Sequence, residues 1–113
     1  MKKRFETRLL EEVFEYVQKQ ELKVRKKILQ NIRRAEQNTD PKFFKKLSSD
    51  IWEFRTLYSG NQYRLFAFWD KDDKKETLVF ATHGIIKKTS KIDKKEMVKA
   101  DRIRMNYLKN KKK

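Results

Sequence analysis

The chain has 113 residues, and its 31 lysines and arginines against 16 aspartates and glutamates leave a formal net charge of +15. That length fits one domain, 37% hydrophobic residues with 8 Phe, 4 Tyr and 2 Trp can fill one aromatic core, and such aromatic content argues against wholesale disorder. With no cysteine, 2 Gly and 1 Pro, disulfide scaffolds, thiol nucleophiles, thiolate metal sites and glycine-rich phosphate loops are excluded.

Residues 4–6 suit a short strand. From Thr7, a fitting N-cap, the residues Leu9, Leu10, Val13, Phe14 and Val17 recur at helical steps. A second amphipathic helix is expected over about 22–37, with Leu22, Ile28, Leu29, Ile32 and Ala35 on one side. Lys23, Lys26, Lys27, Arg33 and Arg34 lie on its basic side. Asp40-Pro41 reads as the start of a short helical turn carrying Phe43, Phe44 and Leu47. Three strands follow: Ile51–Tyr58, which alternates Trp52, Phe54, Thr56 and Tyr58 against Glu53, Arg55 and Leu57; the apolar Tyr63–Trp69; and Thr77–His83. Short turns at 59–62 and 70–76 make them an antiparallel meander, since parallel neighbours need a long crossover. Gly84 is expected to break the third strand, Asp93 to Glu96 to form a capping box, and Met97, Ala100, Ile103 and Tyr107 to line a C-terminal helix. The expected fold is therefore α+β: two N-terminal helices packed on a small twisted antiparallel sheet, plus a C-terminal helix. One domain over 1–108 and a basic tail over 109–113 complete it. No apolar run approaches the roughly 20 residues of a membrane span, and Met1-Lys2-Lys3-Arg4 lacks a signal-peptide core, so the expectation is a cytoplasmic protein.

The charge points to a polyanionic partner, nucleic acid or an acidic protein. Arg55 and Arg64 lie on adjacent expected strands in aromatic settings, where an unpaired charge is costly. With Lys87 and Lys88 just beyond the third strand they would grip a phosphate and stabilise charge developing on it. Pairing is the alternative: Arg55 with Glu53 or Glu6, and Arg64 with a helix carboxylate. Arg33, Arg34 and Lys91 are further candidate RNA contacts. His83 is the one histidine and the side chain best suited to proton transfer near neutral pH, though a strand-ending histidine is often structural. It has no partner at helical zinc spacing, so no metal or cofactor is expected, and Asp70, Asp72 and Asp73 read as a solvated turn. Trp52, Tyr63 and Trp69 are either core or base-stacking groups.

The ordered set Ile51-Trp52-Glu53-Phe54-Arg55, Tyr63-Arg64-Leu65-Phe66 and His83-Gly84-Ile85-Ile86-Lys87-Lys88-Thr89, followed by Lys99-Ala100 and Tyr107, resembles the RelE/HigB superfamily of toxin–antitoxin toxins in its phage-derived toxin-like branch. The resemblance covers about residues 4–108. It implies two helices against a twisted antiparallel sheet, and a ribosome-dependent, metal-independent endoribonuclease that cuts mRNA through the message's own 2′-hydroxyl. It also implies a cognate antitoxin, a helix-turn-helix protein, as partner. By position it assigns Arg55, Arg64 and Lys87 or Lys88 to the scissile phosphate. Two departures stand out: Glu53 where such toxins often carry lysine, and no aromatic residue between Thr89 and Asp93. The proton-transfer role then falls to His83 first and Tyr107 second. A non-catalytic basic nucleic-acid-binding module is the competing expectation, and a protein-interaction domain the third.

Overall fold

The computed structural model describes residues 3–71, 78–87 and 94–111. In chain order they form β1 (Glu6–Leu9), α1 (Glu11–Gln18), α2 (Leu22–Gln37), β2 (Phe44–Lys46), β3 (Trp52–Tyr58), β4 (Asn61–Asp70), β5 (Leu78–Lys87) and α3 (Lys94–Lys111). One five-stranded sheet runs in the order β1-β5-β4-β3-β2. The expected meander is its centre. Around it, β2 pairs antiparallel with β3, and β1 pairs parallel with β5, Glu6 opposite Leu78.

The hairpin between β3 and β4 closes on Ser59 and Gly60, whose φ values of 51° and 82° suit a mirror-image two-residue turn and the right-handed twist of its strands. Its register puts Phe54 opposite Leu65 and Thr56 opposite Tyr63, all on one face. There Val13 and Val17 of α1 and Val24, Ile28, Ile32 and Ala35 of α2 complete the larger core. Each fully buried aliphatic side chain of this set contributes about 1.5–3 kcal/mol. On the opposite face Phe66, Phe68 and Phe80 pack beneath α3, against Ala100, Met97 and Tyr107.

One irregularity shapes the α3 face. Phe66 pairs with His83, but the next residue, Ala67, pairs with Ala81, so Thr82 is an extra residue in β5. Such a bulge reverses the alternation, and it turns His83 toward α3 beside Phe66 rather than into the helical core. The two rings stack with centroids 4.9 Å apart.

Several expectations need correction. The two helices do not open the chain: β1 precedes them, and Thr7 is no N-cap, since its backbone N–H donates to Glu36 Oε2 at 3.0 Å from within that strand. The sheet is mixed and five-stranded rather than small and antiparallel, and α3 lies on the face opposite α1 and α2. Asp40-Pro41 does start a turn, with the Phe43 N–H donating to the Asp40 carbonyl at 3.1 Å, but from Phe44 the chain is β2 rather than helix. Gly84 does not end β5, which continues to Lys87. Glycine is required there for space instead: a Cβ would lie 2.5 Å from the Tyr16 ring, whose hydroxyl donates to the Ile85 carbonyl at 2.8 Å. Asp70 belongs to β4 and is buried, while Asp72 and Asp73 lie outside the described residues. Residues 109–111 continue α3, and Lys111 reaches Asp70 at 2.7 Å. Among the described residues no helix is long and apolar enough to cross a membrane.

Candidate functional site

The α3 side of the sheet carries a polar lane beyond the aromatic cluster. Arg55 and Arg64 are direct cross-strand partners, so both side chains leave the sheet on this face. Lys87 stands opposite Gln62, two residues before Arg64 in β4, and therefore shares the face. The register thus gathers three of the expected cations along neighbouring strands.

Glu53 joins them. Its carboxylate accepts from Arg64 Nη1 at 3.2 and 3.3 Å and lies 3.4 Å from Arg55 Nε. Glu53 and Arg64 are both about 1% exposed, whereas the Arg55 side chain keeps 27% of its surface. Gln62 Oε1 accepts from the other terminal nitrogen of Arg64. Arg64 is accordingly held within the protein, and Arg55 is the more accessible guanidinium of the pair. Burial pushes the Glu53 carboxyl above the usual carboxylate range, against the pull of Arg64, then Arg55, then Lys45. The carboxylate takes hydrogen bonds that a phosphate would otherwise take, and it fixes the arginine on β4 from the strand beside it.

His83 is 1% exposed. Its Nδ1 is 3.0 Å from Thr82 Oγ1 and its Nε2 3.0 Å from Glu96 Oε1 in the first turn of α3. Burial lowers its pKa, with the Glu96 hydrogen bond opposing that shift and Lys99 reinforcing it. Nε2 faces the Glu96 carboxylate, while the Thr82 hydroxyl beside Nδ1 donates its one proton to the Phe66 carbonyl at 3.2 Å; the lowered pKa favours the neutral ring. The imidazole therefore has the hydrogen bonds of a proton-transfer group but not the access. Tyr107 is tied elsewhere: its hydroxyl donates to Asp70 Oδ2 at 2.9 Å while its ring packs on Phe80 and Phe68.

The remaining expected contacts are dispersed. Arg33 and Arg34 belong to α2, which covers the other side of the sheet, so they do not join the arginine pair. Arg34 lies over the Phe43 ring at 5.5 Å. Arg33 lines a groove of about 550 Å³ with Lys23, Lys26, Lys27 and Tyr58. Lys88 and Lys91 lie outside the described residues. Among those residues no cluster of three or more His, Asp or Glu is arranged to hold a metal ion.

Sequence reasoning treated Glu53 as a possible partner of Arg55 and as a departure from a pattern; its central place between both arginines was missed. The alternation that put Glu53 and Arg55 on one strand face, and Arg64 on the next strand, was a usable signal. The Glu96 and Thr82 contacts of His83 had none, because one depends on tertiary docking and the other on the bulge.

Comparison with curated proteins and with solved structures gives no match. The family model described as phage derived protein Gp49-like (DUF891) does match, over residues 15–105, a span that includes the second half of α1, all of α2, the arginine pair, His83 and most of α3. The chain belongs to that Gp49-like family, a toxin-like family of toxin–antitoxin systems.

Proposed function

We propose that this protein is a translation-inhibiting toxin of the RelE/HigB kind: a ribosome-dependent, metal-independent endoribonuclease acting on mRNA and neutralised by a cognate helix-turn-helix antitoxin. The observation that carries the reading is the direct pairing of Arg55 with Arg64, with Lys87 on the same face, in a member of a toxin-like family. In the reaction the 2′-oxygen of one nucleotide attacks the adjacent phosphorus. A 2′-O–P bond forms and the P–5′-O bond breaks, leaving a 2′,3′-cyclic phosphate and a 5′-hydroxyl. Charge accumulates on the phosphoryl oxygens, and a guanidinium aimed at them stabilises that transition state more than the ground state. Arg55 fills this role directly. Arg64, held by Glu53, supplies field and fixes the strand. One proton leaves the 2′-oxygen and another reaches the 5′-oxygen. His83 can take part only if the first turn of α3 yields and Glu96 leaves Nε2.

Arg55→Ala is the clean test, because its side chain is partly exposed. Arg64→Ala would leave the buried Glu53 charge with only Arg55 beside it, at a cost of up to about 3–5 kcal/mol in stability. On induction in bacteria, Arg55→Ala is expected to lose growth arrest, with new 5′ ends on translated messages falling on the order of 100-fold. Undiminished cleavage by folded Arg55→Ala would overturn the phosphate role.

The seclusion of His83 favours a second reading, a non-catalytic nucleic-acid-binding module. It predicts salt-sensitive RNA binding with no new 5′ ends from the parental chain.

A further inference from the structure

Both tryptophans of the chain stand at one end of the sheet, outside the arginine lane. Trp52 opens β3 opposite Ala67, and β4 runs on past it to Trp69. The indoles meet edge to face, with ring centroids 5.6 Å apart. Both are only half-buried, and they line a cleft of about 420 Å³ with Lys46, Asp50, Lys71 and Arg104. Lys71 Nζ lies over the Trp69 ring at 5.1 Å. Arg104, reaching across from α3, pairs with Asp50 at 3.4 Å and with Asp101 at 3.2 Å.

This arrangement is more than the margin of the core. Phe44 stacks on Trp52 from the inside at 4.9 Å, and Phe5 meets Trp69 edge-on at 5.0 Å, so the apolar cluster is already closed behind the indoles. On the solvent side Lys46 and Lys71 flank the two aromatic rings, beside Arg104 and its partner Asp50. Cleft volume is within the usual range for small-molecule sites. Aromatic faces flanked by mobile positive charge suit a nucleobase with its phosphate, because every base has a stackable face and each backbone unit carries one negative charge. A duplex hides its base faces, so the ligand must be unpaired.

We propose that this cleft binds one nucleotide of a single-stranded nucleic acid, its base against the indoles and its phosphate among Lys46, Lys71 and Arg104. The site is separate from the arginine lane. Trp52 is three residues from Arg55 along β3, about 10 Å, and odd separation sends the two side chains to opposite faces. The inference does not rest on cleavage, and it holds equally for a binding module.

Because the cleft contains every tryptophan of the chain, intrinsic fluorescence reads it directly. Titrating the full chain with a pentaribonucleotide is expected to quench emission saturably, with affinity falling as salt rises. The Lys46→Ala/Lys71→Ala variant, both positions exposed, should bind roughly tenfold more weakly or worse by the same signal. Lys19→Ala, at an exposed position just past α1 and outside the cleft, should keep the full quench amplitude. Adenosine monophosphate and a short RNA duplex should each bind more weakly than the oligomer. Oligomer binding detected by anisotropy without any change in tryptophan emission would overturn the proposal. So would unaltered affinity of the Lys46/Lys71 variant, equal affinity for the monophosphate, or equal quenching by the duplex.

Discussion

His83 shows how a single side chain can hold two elements together through its protonation state. Its ring sits between Phe66, Thr82 and Glu96, so it ties the bulge of β5 to the first turn of α3. The titratable groups facing it are Glu96 and Lys99 of α3 and Glu12 of α1. Burial lowers its pKa below the ordinary value of about 6.5. The unfolded chain therefore binds a proton at this position before the folded one does. Stability from the neutral ring is complete above pH 6.5, declines as pH falls through that value toward the folded pKa, and then levels off. The urea midpoint of the parental chain should drop between pH 7.5 and pH 5, and His83→Gln should flatten that drop while lowering stability at pH 7.5. An identical pH slope in the variant would show that other groups set it. Glu53 illustrates the companion lesson at the arginine lane. Charge at Arg55 and Arg64 was evident from composition, but the sequence could only suggest their alternative partners. Which carboxylate neutralised them depended on register, and register became readable only once the hairpin turn at Ser59-Gly60 set it.

At the scale of elements, legibility followed locality. The meander was readable because alternation and short turns are local, and α2 because its apolar stripe runs for four turns. β1 was readable only in part: a strand was expected over residues 4–6, but Leu9 and Leu10 fit a helix as well as a strand, and the partner that makes Glu6–Leu9 a strand is some seventy residues away in β5. β2 was misread for a related reason, since Pro41 marks a turn start equally well before a helix or a three-residue strand. Gly84 carried a true signal that was given the wrong cause. Glycine in a strand interior marks either a break or a close approach, and here the Tyr16 ring lies against it. Gly84→Ala should therefore cost about 1–3 kcal/mol through crowding at a rigid ring, read as a lower urea midpoint with the sheet's far-UV signal retained below the transition. Placing that cost specifically on the α1–β5 contact requires a second substitution. Tyr16→Leu, which removes the ring and the bond to the Ile85 carbonyl, should be destabilising alone yet less than additive with Gly84→Ala. Full additivity would mean that the two side chains do not share the contact.

For the whole molecule, the positive charge is distributed over both sides of the sheet rather than concentrated at the arginine lane. The second concentration is the groove on α2. None of Lys23, Lys26, Lys27 and Arg33 makes an ion pair among the described residues, and Tyr58 at the end of β3 forms its aromatic wall. A fold stabilised by two apolar layers has no need of four unneutralised cations in one groove, and their mutual repulsion is a cost. An RNA strand or an acidic protein surface would offset it. The two differ in how salt acts on them. Each phosphate neutralised on a single strand adds about 0.7 to the slope of log affinity against log salt, through release of condensed counterions. Replacing all four cations with glutamine should leave stability within about 0.5 kcal/mol per site at Lys23, Lys26 and Arg33, as is usual for exposed positions, with a somewhat larger cost at half-buried Lys27. If the strand runs through this groove, the magnitude of the salt slope for oligoribonucleotide binding should fall by up to about 3. Affinity at low salt should fall with it. An unaltered slope would assign RNA binding to the opposite side and the tryptophan cleft, and would leave the α2 groove to a protein partner, whose binding should then be the function that the same four substitutions impair.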